Sequence, residues 1–364
     1  MSLSQKELPV SMEEIISLAI EYKASDIHFK ANMAPVFRID GQIRSVPGLP
    51  VFNPDLLRST LVGMLSRKQQ QVFEENHELD TAIHFKDKAR VRVNLHTDID
   101  SVGAAMRIVP LDVPSLDQVG APTVLEEFTR ARSGLVLVTG VTGAGKSTTL
   151  AAMIDAINSR DAGHIYTMED PIEFVFRPKR CIVTQREIGY HTKSFAAALR
   201  SALRADPNVI LIGEMRDVET MQWALKAAET GLLVLSTLHT SSAPKTIQRI
   251  LGMFSPSEQE VVRMQLAHVL RAVVAQQLVP LVEGGRMAVH EIMVNTLTIQ
   301  EAILRGEIDA IHEFIKNGQF DGMQTMDLAV YDAYRKGFID ADAARSFALN
   351  PGEMERILRG ATIV

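Results

Sequence analysis

Eight residues carry the strongest chemical signal in the chain: Gly140-Val141-Thr142-Gly143-Ala144-Gly145-Lys146-Ser147. Their spacing matches G-x-x-x-x-G-K-[ST], a phosphate-binding loop. The chemistry explains the residue types. Glycines let backbone N–H groups face phosphate oxygens with no Cβ in the way, and the N-terminus of a following helix adds partial positive charge. The expected cradle is Thr142, Gly143, Ala144, Gly145, Lys146, Ser147 and Thr148. Lys146 is placed to contact the β- and γ-phosphates, and the Ser147 hydroxyl to face a Mg²⁺ ion. The expected ligand is therefore a nucleoside triphosphate with Mg²⁺.

Binding alone does not say what happens to the nucleotide. Three further stretches end in groups that could act on it. Ile165-Tyr166-Thr167-Met168 runs into Glu169-Asp170-Pro171-Ile172-Glu173, Val209-Ile210-Leu211-Ile212 into Gly213-Glu214-Met215-Arg216-Asp217, and Leu232-Leu233-Val234-Leu235 into Ser236-Thr237-Leu238-His239-Thr240. Hydrolysis needs one carboxylate to polarise the attacking water and another to serve the Mg²⁺ side. Glu214 suits the metal side, with Glu where Asp is more usual. Glu173 or Glu169 is then the base. Each acid alone could equally cap a helix or face solvent. Their shared placement after apolar runs favours a site.

His239 could sense the γ-phosphate by a hydrogen bond, although a single histidine is more often structural. His290-Glu291 lacks the second histidine of H-E-x-x-H, so no zinc site is read. Arginines matter because a phosphoryl transition state spreads negative charge. Arg200 and Arg204 stand i, i+4 on one expected helix. Arg92 and Arg107 lie on expected strands near the N-terminus. The plain alternative for each is a surface ion pair.

These groups need a scaffold. Leu135-Val136-Leu137-Val138, Val209–Ile212 and the run from Leu232 to Leu235 are short and wholly apolar, as strands buried on both faces are. Helical segments are expected between them, near 148–158, 194–205 and 218–230. Strand and helix alternate, which predicts a doubly wound α/β domain with a parallel sheet. An α+β unit precedes it. Ser11 and Glu14 form a capping-box signal before an apolar helix. Short strands are expected at 26–29 and 36–39, a polar helix at 55–75, and strands at 89–95 and 103–109. Pro110-Leu111-Asp112-Val113-Pro114 reads as a linker. Past Glu291 the chain is expected to be wholly helical.

The chain has 364 residues, enough for about two domains of ordinary size. Hydrophobic residues at 46% and charged residues at 23% exclude a disordered or fibrous chain. One cysteine, Cys181, excludes an internal disulfide framework and a CxxC zinc module. A net charge of −6 argues against a dedicated nucleic-acid binder. No apolar run approaches the roughly 18 residues of a membrane span, and the N-terminus has no secretory signal. The expected compartment is the cytoplasm.

Taken together, these residues resemble the secretion-type ATPases of type IV pilus and type II secretion systems, most of all the PilT-like pilus retraction ATPases. The carrying stretches are the 140–147 loop, Glu169-Asp170-Pro171-Ile172-Glu173 (the family's Asp box) and Gly213-Glu214-Met215-Arg216-Asp217 (its Walker B). Leu199-Arg200-Ser201-Ala202-Leu203-Arg204, Ala228-Glu229-Thr230-Gly231, Thr237-Leu238-His239-Thr240 and Gly322-Met323-Gln324-Thr325-Met326-Asp327 fit as well, as does Ala24-Ser25-Asp26-Ile27-His28. The resemblance covers about residues 10–345. It implies a PAS-like N-terminal domain (1–110), a linker (111–122), a RecA-like ATPase core (123–290) and a C-terminal helical region (291–364). It implies ATP and Mg²⁺ as ligands, Glu173 as base, and Arg92 and Arg107 reaching the nucleotide. It further implies a homohexamer at an inner-membrane pilus platform protein, with a paralogous pilus ATPase as a second partner.

Three departures stand out. Leu232 occupies the place where the family usually has the first histidine of its His box. Thr298-Ile299-Gln300-Glu301-Ala302-Ile303-Leu304-Arg305 keeps the apolar spacing of the family's Ala-Ile-Arg-Asn-Leu-Ile-Arg-Glu helix but few of its polar identities. Val273-Val274-Ala275-Gln276-Gln277-Leu278-Val279-Pro280 looks as much like the PilU-type accessory motors as like PilT. Extension motors of the PilB and GspE type usually carry a four-cysteine zinc insertion, so a single cysteine favours retraction. The alternatives are a PilU-like accessory motor and, further off, a RecA-like DNA translocase.

Overall fold

The computed structural model describes residues 11–39, 41–85, 88–109 and 112–359. The chain divides into two compact units, Met1–Asp112 and Val113–Val364. The division falls within the expected linker, of which Pro110 and Leu111 lie outside the described residues.

The first unit contains α1 (Met12–Glu21), β1 (Asp26–Phe29), β2 (Val36–Ile39), β3 (Gln42–Ser45), α2 (Pro54–Gly63), α3 (Arg67–Asn76), β4 (Glu78–Phe85), β5 (Ala89–Thr97) and β6 (Val102–Val109). Its strands form one sheet in the order β3-β2-β1-β6-β5-β4, with every pairing antiparallel. Helix α1 starts at the expected capping box: the Ser11 hydroxyl accepts from Glu14 N, and Ser11 N donates to the Glu14 carboxylate. The expected single helix at 55–75 is two helices. Ser66 and Gln69 form a second capping box, which starts α3 afresh. Along β5, Ala89, Val91, Val93 and Leu95 are buried. They join Ile15, Ile16, Phe37, Leu57, Phe73 and Met106 in one apolar core.

The second unit begins with α4 (Val124–Thr129), β7 (Gly134–Thr139), α5 (Lys146–Arg160), β8 (His164–Glu169), β9 (Ile182–Glu187), α6 (Phe195–Ala202), β10 (Val209–Ile212), α7 (Val218–Glu229), β11 (Leu233–Leu238) and α8 (Ala243–Leu251). It continues with α9 (Pro256–Val269), β12 (Leu270–Pro280), β13 (Arg286–Val294), α10 (Leu297–Arg305), α11 (Ile311–Asn317), α12 (Met326–Arg335), α13 (Ala341–Phe347) and α14 (Pro351–Leu358). The sheet order is β13-β12-β7-β11-β10-β8-β9. Every pairing is parallel except β12 with β13, so the sheet is mixed rather than purely parallel.

The apolar runs have a direct structural reason. Leu135 and Leu137 of β7 point into a core with α7–α10, while Val136 and Val138 point into a core with α4 and α5. Residues of β10 split the same way: Ile210 and Ile212 on one face, Val209 and Leu211 on the other. Both faces are covered, so the central positions are apolar, and the polar residues near the strand ends, such as Ser236 and Thr237, are hydrogen-bonded to backbone carbonyls. Each such side chain contributes about 1.5–3 kcal/mol on burial. The edge that carries the functional groups is therefore rigid.

The expectation of a wholly helical chain beyond Glu291 needs correction. Strand β13 continues to Val294, and the 290/291 boundary falls inside it. Val279 and Val289, from β12 and β13, share a core with Met326, Val330, Ile339 and Met354. The C-terminal helices thus belong to the same compact unit as the sheet.

Candidate nucleotide site

The strands β7, β8, β10 and β11 deliver their C-terminal ends to one edge of the sheet. The loop 140–145 leaves β7, crosses this edge and enters α5. Gly140, Gly143 and Gly145 have φ of 145°, 81° and 84°, values that side-chain-bearing residues rarely adopt. At Gly140 a Cβ would also lie 2.3 Å from the Gln276 carbonyl oxygen. The loop therefore packs backbone against backbone, which leaves its other side free for a ligand.

Gln276 of β12 was not anticipated as a site residue. It is buried, with its Nε2 donating to Ala144 O at 2.7 Å and its Oε1 accepting from Thr149 Oγ1 at 2.7 Å. It ties the loop and the first turn of α5 to the neighbouring strand. Nothing in the local sequence marks it, since its partners lie more than 120 positions away. Gln276→Ala strands a buried carbonyl and a buried hydroxyl at about 1–3 kcal/mol each. The expected loss is roughly 2–6 kcal/mol of stability together with about tenfold weaker nucleotide binding. Urea unfolding and a fluorescent-nucleotide titration measure the two effects.

Lys146 is buried, and its Nζ donates to Gly140 O at 2.9 Å and Val141 O at 3.0 Å. Burial pulls its ammonium below the usual lysine range, and the charges of Glu214 and Glu173 partly oppose this. The cleft in front of it, 290 Å³ in volume, is lined by Thr142, Gly143, Ser147, Glu173, Glu214 and His239, among others. The structure therefore brings together the loop, both candidate carboxylate segments and the histidine. A second cavity, 590 Å³, opens beside Thr148 and is lined by Val119, Leu278, Arg286 and Met287.

Glu214 follows β10 and is mostly buried. Its Oε2 lies 2.7 Å from Arg216 Nη2, and its Oε1 lies 3.2 Å from His239 Nε2. Burial alone would raise its carboxyl, but Arg216 and His239 outweigh that and hold it below the usual glutamate range. The Thr237 hydroxyl donates to Gly213 O at 2.7 Å and fastens the end of β11 to this turn. Arg216 is a cleft residue that residue typing did not single out, although it stands two positions from Glu214.

The two candidate bases differ in setting. Glu173 is exposed at the cleft wall. Glu169 is buried, and burial pushes its carboxyl up to about 7 against the hydrogen bonds from Thr167 and Gln185. The folded state thus keeps a proton that the unfolded chain has released above its ordinary value of 4.5. Stability then falls as pH rises from about 4.5 to 7, by about 3 kcal/mol in all. Glu169→Gln is expected to flatten that slope in urea unfolding compared at pH 5 and pH 8.

The arginines separate into two groups. Arg200 Nη1 lies 3.1 Å from Glu219 Oε1 on the surface, and Arg204 follows α6. Neither lines the cleft of its own chain. Arg92 and Arg107 face each other across β5 and β6 in the first unit. Arg107 Nε donates to Asp26 Oδ1 at 2.9 Å. Burial would raise the Asp26 carboxyl, but Ser25 and Arg107 hold it below its usual range. Leu232 precedes β11 at the end opposite His239 and packs against the apolar core.

The residues present fit Mg-ATP. Among the described residues no group of three or more His, Cys, Asp or Glu could enclose a metal. A cation held by one serine hydroxyl, substrate phosphates and water needs no such cage. Ser147 and Glu214 line the same cleft.

A glycine-rich loop between a buried strand and a helix N-terminus, with a buried lysine and strand-end carboxylates, defines a P-loop nucleotide-binding enzyme. The chain belongs to the Type II/IV secretion system protein family, whose model matches residues 3–284. It is 41% identical to the type IV pilus retraction ATPase PilT of Pseudomonas aeruginosa, over 94% of this chain and 99% of that protein. It is 37% identical to the type IV pilus ATPase PilU of the same organism, over 96% and 92%. The crystal structure of the pilus retraction motor PilT with bound ADP superposes with a TM-score of 0.89 at 42% identity, covering 95% and 99% of the two chains. These findings bear out the resemblance read from the motifs: the chain is a secretion-type ATPase.

Proposed function

We propose that this chain is the subunit of a cytoplasmic hexameric ring that hydrolyses ATP to power retraction of a type IV pilus. The full-length likeness to a protein named as the retraction ATPase carries this reading. The cleft supports it, because the phosphate loop, Lys146, Ser147, both candidate carboxylates and His239 all line it. In this reading the first unit is PAS-like, the second RecA-like, and the ring works on a platform protein in the inner membrane.

Mg-ATP is the substrate. The amides of 142–148 and Lys146 hold its phosphates, and the second cavity beside Thr148 receives base and ribose. Ser147 and Glu214 hold the metal side, Glu214 through water. Glu173 takes the proton from the attacking water. Its carboxylate stands at the cleft wall, where it can reach a water beside the γ-phosphate. His239, already bonded to Glu214, reports the γ-phosphate. Arg92 and Arg107 stand side by side across β5 and β6, and Asp26 pairs with Arg107 and Arg38, so this patch keeps positive charge for a nucleotide. Arg200 and Arg204, turned away from their own cleft, are left for the nucleotide of a neighbouring subunit. ATP would draw the PAS-like unit toward a RecA-like core, and hydrolysis would release it.

A second reading is an accessory motor of the PilU kind, since 273–280 look as much like that group as like PilT. Deletion of the gene separates the readings. Excess surface pili without twitching supports the retraction motor, bald cells indicate extension, and unchanged twitching indicates an accessory role.

A further inference from the structure

Glu169 lines the cleft, yet the proposed reaction gives it no task. Its hydrogen bonds reach the segment that carries Glu173. Thr167 Oγ1 donates to Glu169 Oε1 at 2.6 Å, and Gln185 Nε2 donates to the same oxygen at 3.2 Å. The backbone N–H of Glu173 lies near enough to favour the charged form of this carboxylate. Gln185 then grips the next residues: its Nε2 donates to Phe174 O at 2.9 Å, and its Oε1 accepts from Phe176 N at 2.8 Å. Glu187, two positions along β9, accepts from Ile172 N at 3.1 Å. Segment 170–176 lies in no helix or strand. Its backbone polar groups therefore depend on these side chains for partners and for a fixed path.

We infer that Glu169 and Gln185 are positioning residues for hydrolysis: they hold segment 170–176 so that the Glu173 carboxylate faces the attacking water. The inference rests on Glu173 being the base. The chemistry explains the residue choice. A carboxyl group offers several lone-pair sites, so one oxygen of Glu169 accepts from both Thr167 and Gln185 whether or not the group holds a proton. Glutamine at 185 supplies a donor to Glu169 and an acceptor to Phe176 in one planar group. Burial pushes the Glu169 carboxyl up to about 7, as expected of a buried anchor rather than a group facing water. A base displaced by about 1 Å can lose on the order of 100-fold in rate. Ground-state binding of ATP does not depend on where that base sits.

The test uses the full-length protein and steady-state ATP hydrolysis, with the nucleotide Kd and the melting temperature measured for each variant. Gln185→Met keeps the side-chain length and removes both grips. It is expected to lower kcat about 100-fold with KM within about twofold. Glu169→Ala is expected to do the same, and Glu169→Gln, which keeps part of the bonding, to recover to within about tenfold of wild type. Glu173→Gln is run beside them. Wild-type kcat in both Gln185→Met and Glu169→Ala, with Glu173→Gln inactive, overturns the frame and leaves the base assignment standing. Retained turnover in Glu173→Gln with loss in Glu169→Gln makes Glu169 the base and overturns both. A parallel rise in KM, or a collapsed melting temperature in both Gln185→Met and Glu169→Gln, shows general support of the cleft and also overturns the frame.

Discussion

Lys146→Ala abolishes ATP hydrolysis and weakens nucleotide binding by more than about 100-fold. The magnitude follows from the chemistry of the contact. A charge-assisted hydrogen bond contributes about 1.5–3 kcal/mol, and an ammonium in the phosphate cleft makes more than one. The same charge would stabilise the transition state, where mutation of a preorganised donor costs about 100- to 1000-fold in kcat. The fold survives the change. Burial already disfavours the Lys146 ammonium, so its removal relieves that cost while two loop carbonyls lose a donor. The melting temperature is expected to stay within a few degrees of wild type. A fluorescent-nucleotide titration and a phosphate-release assay check the prediction. Binding within tenfold of wild type would place the phosphates elsewhere.

Glu173→Gln separates binding from chemistry. The amide is isosteric but cannot take a proton, so turnover is expected to fall about 1000-fold, within the range for loss of a general base. The nucleotide Kd is expected to change by less than about threefold, because Glu173 is exposed at the cleft wall and bonds no loop group. If anything, binding tightens, since one negative charge leaves the neighbourhood of the triphosphate. Single-turnover hydrolysis with a Kd measured beside it decides the matter. Turnover above about a tenth of wild type would remove Glu173 from the role of base.

The contrast between Glu169 and Glu173 shows where sequence reading stops. The two are four positions apart and of one type. Residue chemistry left them tied as bases, and the resemblance alone favoured Glu173. Their environments differ because β8 ends at Glu169: its side chain faces inward from the last ladder position, while Glu173 lies beyond the strand, on a segment outside any helix or strand. Gln185, Gln276 and Arg216 are similar cases. The two glutamines act through partners brought near by the fold and have no local signature at all, while Arg216 pairs with a neighbour two positions away. The expected helix at 55–75 failed for a local reason, since an internal capping box outweighed a continuous polar pattern.

The phosphate loop, the strand ends that carry acids and His239, and the two-sided burial of the sheet are legible in the residues alone. Those features are encoded in neighbouring residues: glycine where positive φ is required, and unbroken apolar runs where both faces are covered. Only the tertiary structure decided which carboxylate is buried, that β12 clamps the loop through Gln276, that Glu214 is shared between Arg216 and His239, and that the C-terminal helices close on β12 and β13. Each of those outcomes depends on strands paired in the order β13-β12-β7-β11-β10-β8-β9. That order brings together residues distant in sequence, 132 positions apart in the case of Gln276 and Ala144, and such pairings leave no periodicity in the chain.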